Sequence, residues 1–211
     1  MAQGPDAATP PPSRFPGGGG SLRDARAHRA ALDAARDLLT EVGYAQLTMA
    51  GIAKRSGVSK PTLYRWWRNT AELVHEAISE PGPDIPPDTD DLEADLRRFV
   101  SRLAAYYARP EVAAATPGLI SDLFGPGAVR SARAYPVSRA YLDRMNALFA
   151  RAEAEVVLRP GADAGTAADM VLGAVISRAL AHMWSHQGPL RNPDRFAEGI
   201  VAILLYGITR D

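Results

Sequence analysis

The chain has 211 residues, of which 46% are hydrophobic, and this is enough apolar content for a substantial core. It contains no cysteine, so a disulfide framework and a thiolate metal site are both excluded. The formal net charge is zero, but residues 1–70 carry ten Lys and Arg against five Asp and Glu, while residues 71–211 carry 14 against 19. A basic segment attracts phosphate polyanions, although a solvated charged face is the commoner explanation of a charge run.

The sequence shows neither a membrane span nor a signal peptide. The longest apolar stretch, MVLGAVISRALAHMW, is interrupted by Ser177, Arg178 and His182, and it is too short and too polar for a bilayer-spanning helix. The N-terminus lacks the apolar run of a signal peptide. We therefore expect a soluble cytoplasmic protein with no membrane partner.

The first 20 residues have the composition of a disordered tail. They contain five Pro and five Gly and end in GGGG, and such a segment cannot bury enough apolar surface to order itself. From Ser21 onward, apolar residues recur at three- and four-residue steps, as at Ala34 and Leu38. This spacing predicts a first helix over residues 22–42.

Two short helices are predicted next. Thr48 is a suitable N-cap for the second helix, which ends near Gly57. Ser59 is the N-cap candidate of a third helix over about residues 60–66, with Pro61 in its first turn, where the missing N–H costs nothing. The turn that joins the two helices has only about three residues.

A Pro-rich stretch then divides the chain. Thr70 opens a fourth helix, which stops before PGPDIPPD at residues 81–88. A core-facing helix follows from Leu92. Pro and Gly in TPGLISDLFGPG, residues 116–127, predict broken helices there.

Three further helices complete the prediction. Apolar spacing predicts a long helix that carries Leu142 and Val156 and ends at Pro160 and Gly161, and residues 166–186 are apolar on nearly all sides. Asn192 and Pro193 cap a last helix. No convincing strand is found, so we predict an all-α fold of about nine helices.

The two short helices form a helix-turn-helix, in which the second helix enters the major groove of DNA. In SGVSKPTLYRWW, residues 56–67, Leu63 and Trp67 lie four apart and can supply the buried face of this recognition helix. The positions left outside that face are Lys60, Thr62, Tyr64, Arg65 and Trp66.

The aromatic side chains of this helix have two possible roles. At helical spacing, Tyr64, Trp66 and Trp67 could all belong to the core. We assign Trp67 to the core, but three bulky aromatic side chains exceed what the single buried stripe of a seven-residue helix can hold. We therefore predict that Tyr64 and Trp66 face DNA.

The segment TMAGIAKRSGVSKPTLYRWWRNTAELV resembles the DNA-binding domain of the tetracycline-repressor (TetR) family, and the resemblance covers about residues 22–78. It implies a phosphate contact by Thr48 at the start of the second helix, where free N–H groups favour an anion. It also implies phosphate contacts by Tyr64 and Trp66. The full predicted DNA-binding set is Thr48, Ser59, Lys60, Pro61, Thr62, Tyr64, Arg65 and Trp66, with Lys60, Pro61 and Thr62 meeting base edges.

Two positions depart from the family pattern. Most members have a Lys where this chain has Thr70, so a charged backbone contact is lost there unless Arg68 supplies it. Trp66 stands where His or Tyr is usual, and an indole offers a single hydrogen-bond donor.

The resemblance implies a repressor that a small molecule releases from a palindromic DNA operator. Discrimination against bulk DNA requires more than one recognition helix, so we expect a homodimer through about residues 166–186 and 192–208, with Val175 in the interface. The fourth helix is the expected lever between ligand and DNA. The candidate ligand-binding residues are Phe99, Tyr106, Phe124, Tyr141, Met145, Phe149, Met170, Met183 and Trp184.

The predicted organisation therefore has four parts. They are a disordered tail at 1–20, a helix-turn-helix DNA-binding domain at 21–80, a linker at 81–91 and a helical ligand-binding and dimerisation domain at 92–211.

The competing hypothesis is a helical small-molecule carrier or enzyme in which the N-terminal helices only pack. No catalytic motif or cofactor fingerprint is present, so we expect neither enzyme activity nor a cofactor. His182 and His186 have metal-ligand spacing, but no third ligand is indicated, and we predict no metal site.

Overall fold

The computed structural model describes residues 22–79, 89–123, 136–155, 163–181 and 190–208. These residues form nine α-helices and one short 3-10 helix, with no strand among them, so the all-α prediction is confirmed. The elements are α1 (Leu22–Val42), the 3-10 helix η1 (Tyr44–Gln46), α2 (Met49–Ser56), α3 (Lys60–Trp66), α4 (Thr70–Ser79), α5 (Leu92–Tyr107), α6 (Pro110–Leu123), α7 (Pro136–Glu155), α8 (Ala164–Leu180) and α9 (Pro193–Ile208).

Local capping chemistry sets the ends of the short helices. The Thr48 side chain accepts a hydrogen bond from the Gly51 N–H at 3.0 Å at the start of α2. Gly57 ends α2 with φ 71°, a left-handed conformation that glycine adopts without strain. Ser59 caps α3 and accepts from the Thr62 N–H. Both predicted caps are confirmed.

The helix α6 differs from the prediction. Broken helices were expected through Pro117 and Gly118, but α6 is continuous from Pro110 to Leu123. Pro117 has no N–H to donate to the carbonyl four residues earlier, so the helix is held by its packing on α1, α4 and η1 rather than by a complete backbone ladder. The remainder of the expected break, residues 124–127, lies outside the described residues.

The buried side chains form two separate cores. The first core lies among α1 to α4, the N-terminal module, and also includes Val112 and Ala115 of α6. The second core joins α5 and α7 to α9, the C-terminal module. The helix α6 follows the linker in sequence, yet it contributes side chains to the core of the N-terminal module.

A buried carboxylate fixes the beginning of α5. The Asp95 side chain is 2% exposed and accepts hydrogen bonds from the Thr89 N–H and from Arg151 of α7, at 3.0 and 2.7 Å. Arg98 pairs with the same carboxylate. Burial alone would raise the pKa of Asp95, but the hydrogen bonds from Thr89 and Arg151 and the charge of Arg98 lower it overall. Asp95 therefore ties the end of the linker and the first turn of α5 to Arg151 of α7.

Candidate nucleic-acid interface

The recognition helix α3 has one buried face and one exposed face. Leu63 and Trp67 are 0% and 2% exposed and belong to the first core, so the prediction that Trp67 is a core residue is confirmed. On the other sides, Tyr64 is 55% exposed. The remaining predicted contact residues divide into Thr48, Ser59, Lys60, Pro61 and Arg65, which are exposed, and Thr62 and Trp66, which are half-buried.

A helix of seven residues depends on its neighbours for stability. The indole Nε1 of Trp67 donates to Glu76 Oε2 of α4 at 2.7 Å. His28 of α1 lies 3.1 Å from Glu76 Oε1 through its Nε2, and its ring is 4.7 Å from that of Trp67 between centroids. The helices α1 and α4 therefore hold the C-terminal end of α3 between them.

Sequence reasoning missed His28 and Glu76 as supports of α3. A signal for His28 was present, because it precedes Ala31 and Ala35 by three and seven residues and so shares their face of α1. A polar ring on an otherwise apolar stripe needs a partner. Glu76 lies nine residues after Trp67, and no periodic pattern predicts their hydrogen bond.

Trp66 packs at the edge of this support. Its ring contacts His28 and Trp67 edge-on, with centroids 5.1 and 5.4 Å apart. The Arg65 guanidinium lies 5.5 Å from the centre of the same ring. Among the described residues the indole of Trp66 takes part in no hydrogen bond. Trp66 is thus partly packed against its neighbours and partly exposed to solvent, and its indole N–H is able to donate to a ligand.

The hydroxyl groups at the two caps differ in what they can offer a ligand. Thr48 uses its oxygen as an acceptor for Gly51, so its own O–H hydrogen remains to donate to a phosphate. The hydroxyls of Ser59 and Thr62 are 2.8 Å apart and bond to each other, so one of their two hydrogens is engaged. The pair can therefore offer DNA one donor.

The basic residues around the helix-turn-helix differ in whether an acidic side chain binds them. Lys54 and Lys60 are exposed and have no acidic partner among the described residues. Arg65 lies 3.8 Å from Asp24 of α1, and exposed pairs of this kind are weak.

Two other arginines of this module are engaged by glutamates. Arg55 binds Glu41 with distances of 2.8 and 2.5 Å. The side chain and the backbone N–H of Arg68 both bond to Glu72, the latter at 2.8 Å. Arg68 is therefore poorly placed to replace the charge that Thr70 lacks.

The predicted ligand-binding residues do not form one group. Phe99, Met145 and Phe149 are buried together in the second core. Tyr106 instead packs against the first core, where burial raises its pKa to about 12. Met170 is 57% exposed on α8, so within one chain it lines no interior. Phe124, Met183 and Trp184 lie outside the described residues, as does the side chain of Tyr141.

One residue predicted to lie in the dimer interface requires a correction. Val175 is 0% exposed within the second core, so it is a core residue of the single chain and not an interface residue. Among the side chains of α8 and α9 that the structure describes, the large apolar ones left exposed are Met170 and Ile203, the latter at 65%.

Over the ranges that the structure describes, no helix is long and apolar enough to cross a bilayer. The same ranges contain no group of three or more His, Asp or Glu side chains that could hold a metal ion. His182 and His186, the pair with metal-ligand spacing, fall outside them.

Comparison with curated proteins gives relatives among bacterial regulators. The chain is 36% identical over 110 residues to the uncharacterized HTH-type transcriptional regulator YdeS of Bacillus subtilis, a match that covers 51% of this chain and 53% of YdeS. It is 31% identical over 91 residues to the HTH-type transcriptional regulator AqdR of Rhodococcus erythropolis, covering 42% and 44%. The chain thus spans about half the length of the curated relatives that it matches.

Solved structures share the fold at low identity. The regulator FadR of Bacillus subtilis in complex with stearoyl-CoA superposes with a TM-score of 0.65 at 18% identity, covering 86% of this chain and 99% of FadR. NalD, the secondary repressor of the MexAB-OprM multidrug efflux pump in Pseudomonas aeruginosa, gives 0.62 at 20% identity, covering 89% and 98%.

Family profiles cover both modules. Residues 31–77 match the family described as bacterial regulatory proteins, tetR family. Residues 86–204 match the tetracyclin repressor-like C-terminal domain, and this second match alone covers more than half of the chain. Together with the supported recognition helix, these matches show that the chain belongs to the TetR family of bacterial transcriptional regulators.

Proposed function

We propose that this chain is a ligand-responsive repressor that binds a palindromic DNA operator as a homodimer and leaves it when a small molecule binds. The observation that carries the proposal is the two-sided character of α3. Leu63 and Trp67 lock one side into the first core, while Lys60 and Tyr64 stand exposed on the other. A short helix that is rigidly held and displays unpaired polar groups is suited to enter a major groove.

The proposed contacts follow from the chemistry of each side chain. The resemblance places Lys60 at a base edge, but its ammonium is a point charge on a flexible stem, and we assign it to a phosphate instead. Lys60 and Arg65 then supply positive charge, and Thr48 and Tyr64 supply hydroxyl donors for phosphate oxygens. Pro61 and Thr62, in the first turn of α3, are placed to meet base edges. Trp66 contributes its N–H from the rim, as a secondary contact.

We propose a homodimer because a single recognition helix contacts too short a stretch of DNA. One recognition helix reads only a few base pairs, and specific binding needs about 4 to 10 kcal/mol of discrimination over bulk DNA. Met170 on α8 and Ile203 on α9 are large apolar side chains left exposed. A two-fold contact through these two helices would cover them and supply the second recognition helix.

The proposed inducer binds in the C-terminal module. The side chains of Phe99, Met145 and Phe149 are buried together in the interior there, and an apolar or aromatic molecule would suit a pocket opened among them. FadR of Bacillus subtilis, which shares the fold, was solved with stearoyl-CoA. The ligand must favour the state that does not bind DNA, since equal affinity for both states shifts nothing.

Selection of bound duplexes from random DNA tests the proposal. A repressor should enrich one sequence with two related half-sites about 34 Å apart, or a multiple of that distance. A helical carrier or enzyme would enrich none and would show no salt-steep retention on a heparin column.

Thermal-shift screening can then supply a ligand for the second half of the proposal. The affinity of that ligand should fall when the operator is present, by the same factor as the operator affinity falls with ligand. Equal ligand affinities with and without operator would refute the proposed switch.

A further inference from the structure

The two modules meet through α6, whose first half shares a core with α1 to α4. Val112 and Ala115 are completely buried in that first core. The helix also contacts α4 and η1 directly, and it contacts α5 and α8 on its other side. A change in the C-terminal module can therefore reach the N-terminal module without passing along the linker.

One contact in this junction is unusually close. Tyr44 of η1 lies against Gly118 of α6, and a Cβ added at Gly118 would lie 2.6 Å from Cε1 of the Tyr44 ring and nearer still to its neighbouring carbons. Only glycine fits beneath the ring in this arrangement. The Tyr44 hydroxyl also donates a hydrogen bond to the Asp122 carboxylate, one helical turn further along α6. The ring and the hydroxyl of Tyr44 therefore contact α6 at two successive turns.

Tyr44 is also tied to the start of the helix-turn-helix. Gly43, with φ 75°, turns the chain out of α1, and its N–H donates to Leu39. The Tyr44 carbonyl accepts from the Leu47 N–H at 3.1 Å, one residue before the Thr48 cap of α2. The backbone around Tyr44 is therefore held between the end of α1 and the residue that precedes the Thr48 cap of α2.

The backbone hydrogen-bond ladder of α6 is incomplete beside the residue that meets Tyr44. Pro117 interrupts the backbone ladder just before Gly118. The Thr116 hydroxyl bonds back to the Val112 carbonyl at 2.7 Å, a local bond that accompanies helix bending. Helices commonly bend at such a point, so the direction of the second half of α6 depends on what holds it, which is the contact with Tyr44 and the packing of Leu119 against the first core.

We propose that the contact of Tyr44 with Gly118 and Asp122 sets the orientation of the N-terminal module and thereby fixes the half-site spacing that the dimer accepts. Tyr44, Gly118 and Asp122 are positioning residues that touch no DNA. The inference rests on the proposed function as a dimeric DNA-binding repressor. In this inference, a change in the C-terminal module reaches the N-terminal module through α6 as well as through α4, the expected lever. The two helices α4 and α6 are also in contact with each other.

The test uses the full chain and two variants that disturb the contact differently. Tyr44→Phe removes the hydroxyl and keeps the ring, and Gly118→Ala pushes the ring away. Glu153→Gln on α7 is the control, because Glu153 is exposed and has no partner among the described residues. Circular dichroism and thermal melting establish which variants are folded.

The first readout is spacing discrimination. The duplex selected by the parent is compared with the same duplex carrying one extra base pair between its half-sites. We expect Tyr44→Phe to lower the ratio of the two dissociation constants about threefold, in keeping with the loss of one hydrogen bond. Gly118→Ala should lower it further, and Glu153→Gln should leave it unchanged. An unchanged ratio in both junction variants overturns the inference, because a merely structural loss weakens both duplexes alike.

The second readout needs no DNA. Hydrogen exchange of the amides in η1 and the second half of α6 should be faster in both junction variants than in the parent, by about threefold or more. Amides of α8 should exchange at the parent rate. Unchanged exchange in η1 and α6 refutes the junction even if the parent selects no duplex, in which case the repressor proposal fails separately.

Discussion

Trp67 and Glu76 join the end of the recognition helix to α4, because the indole Nε1 donates to Oε2 at 2.7 Å from a side chain that is 2% exposed. The opposite carboxylate oxygen faces His28 of α1 at 3.1 Å. One carboxylate therefore connects three helices of the N-terminal module. A buried N–H that loses its acceptor carries its full desolvation cost.

Glu76→Ala should destabilise the N-terminal module by about 1 to 3 kcal/mol, since the Trp67 N–H is left without its acceptor. Glu76→Gln should cost less, because its amide oxygen can still accept from the indole. Urea unfolding followed by tryptophan fluorescence measures both. Equal and negligible losses in the two variants would show that the bond does not hold α3.

The DNA contacts can be separated by their salt dependence. Lys60→Ala should weaken operator binding and reduce the slope of log K against log salt by about one, as expected for the loss of one phosphate contact. Arg191→Ala is the matched control, because Arg191 is an exposed cation of the C-terminal module with no partner among the described residues. If both variants behave as the parent, Lys60 does not contact DNA.

Tyr64→Phe tests the exposed ring of α3 by removal of the hydroxyl alone. If Tyr64 donates to a phosphate, the loss should weaken binding to all sequences alike. A loss confined to one base position, of about 1 to 3 kcal/mol, would instead make Tyr64 a base-reading residue. Fluorescence anisotropy with the selected duplex and single-base variants of it distinguishes these outcomes.

The sequence was sufficient wherever local chemistry decides the structure. The caps Thr48 and Ser59, the left-handed Gly57 and the burial of Leu63 and Trp67 all depend on side chains within a few residues of one another. For that reason the predicted bounds of α1 to α4 match those observed.

The sequence was insufficient wherever packing overrides a local signal. Pro117 indicates a helix break, but α6 continues through it because packing against α1, α4 and η1 holds the helix from outside. The contact of Tyr44 with Gly118 joins residues that are far apart in the chain, and no periodicity marks it. Val175 was misplaced because a helix that is apolar on nearly all sides does not show which side its own core occupies.

The dimer prediction takes Val175 as a core residue and Ile203 as an exposed one. Ile203→Glu places a charge on an exposed apolar position of α9 and should give a folded monomer, because an unpaired charge is costly to bury in an interface. Val175→Glu should unfold the C-terminal module instead, since Val175 is fully buried within one chain. Sedimentation with circular dichroism separates the two results. A dimeric Ile203→Glu would place the interface elsewhere.

The last prediction concerns acid stability and His75 of α4. Burial lowers the pKa of His75 to about 4, against the opposing charge of Glu76, and the Ser79 hydroxyl lies 3.5 Å from Nδ1. The folded chain therefore keeps this ring neutral, while the unfolded chain binds a proton near pH 6.5. Stability from this difference is fully present above pH 6.5 and is lost as the pH falls toward 4.

The N-terminal module should accordingly be about 1 to 2 kcal/mol less stable at pH 5 than at pH 7, as judged by urea unfolding at each pH. His75→Gln keeps a polar side chain that does not titrate, so this variant should show a flatter dependence over the same range. Asp95 cannot produce the effect, because its lowered pKa confines its contribution to a more acid range. The same pH dependence in parent and variant would assign the acid sensitivity to groups other than His75.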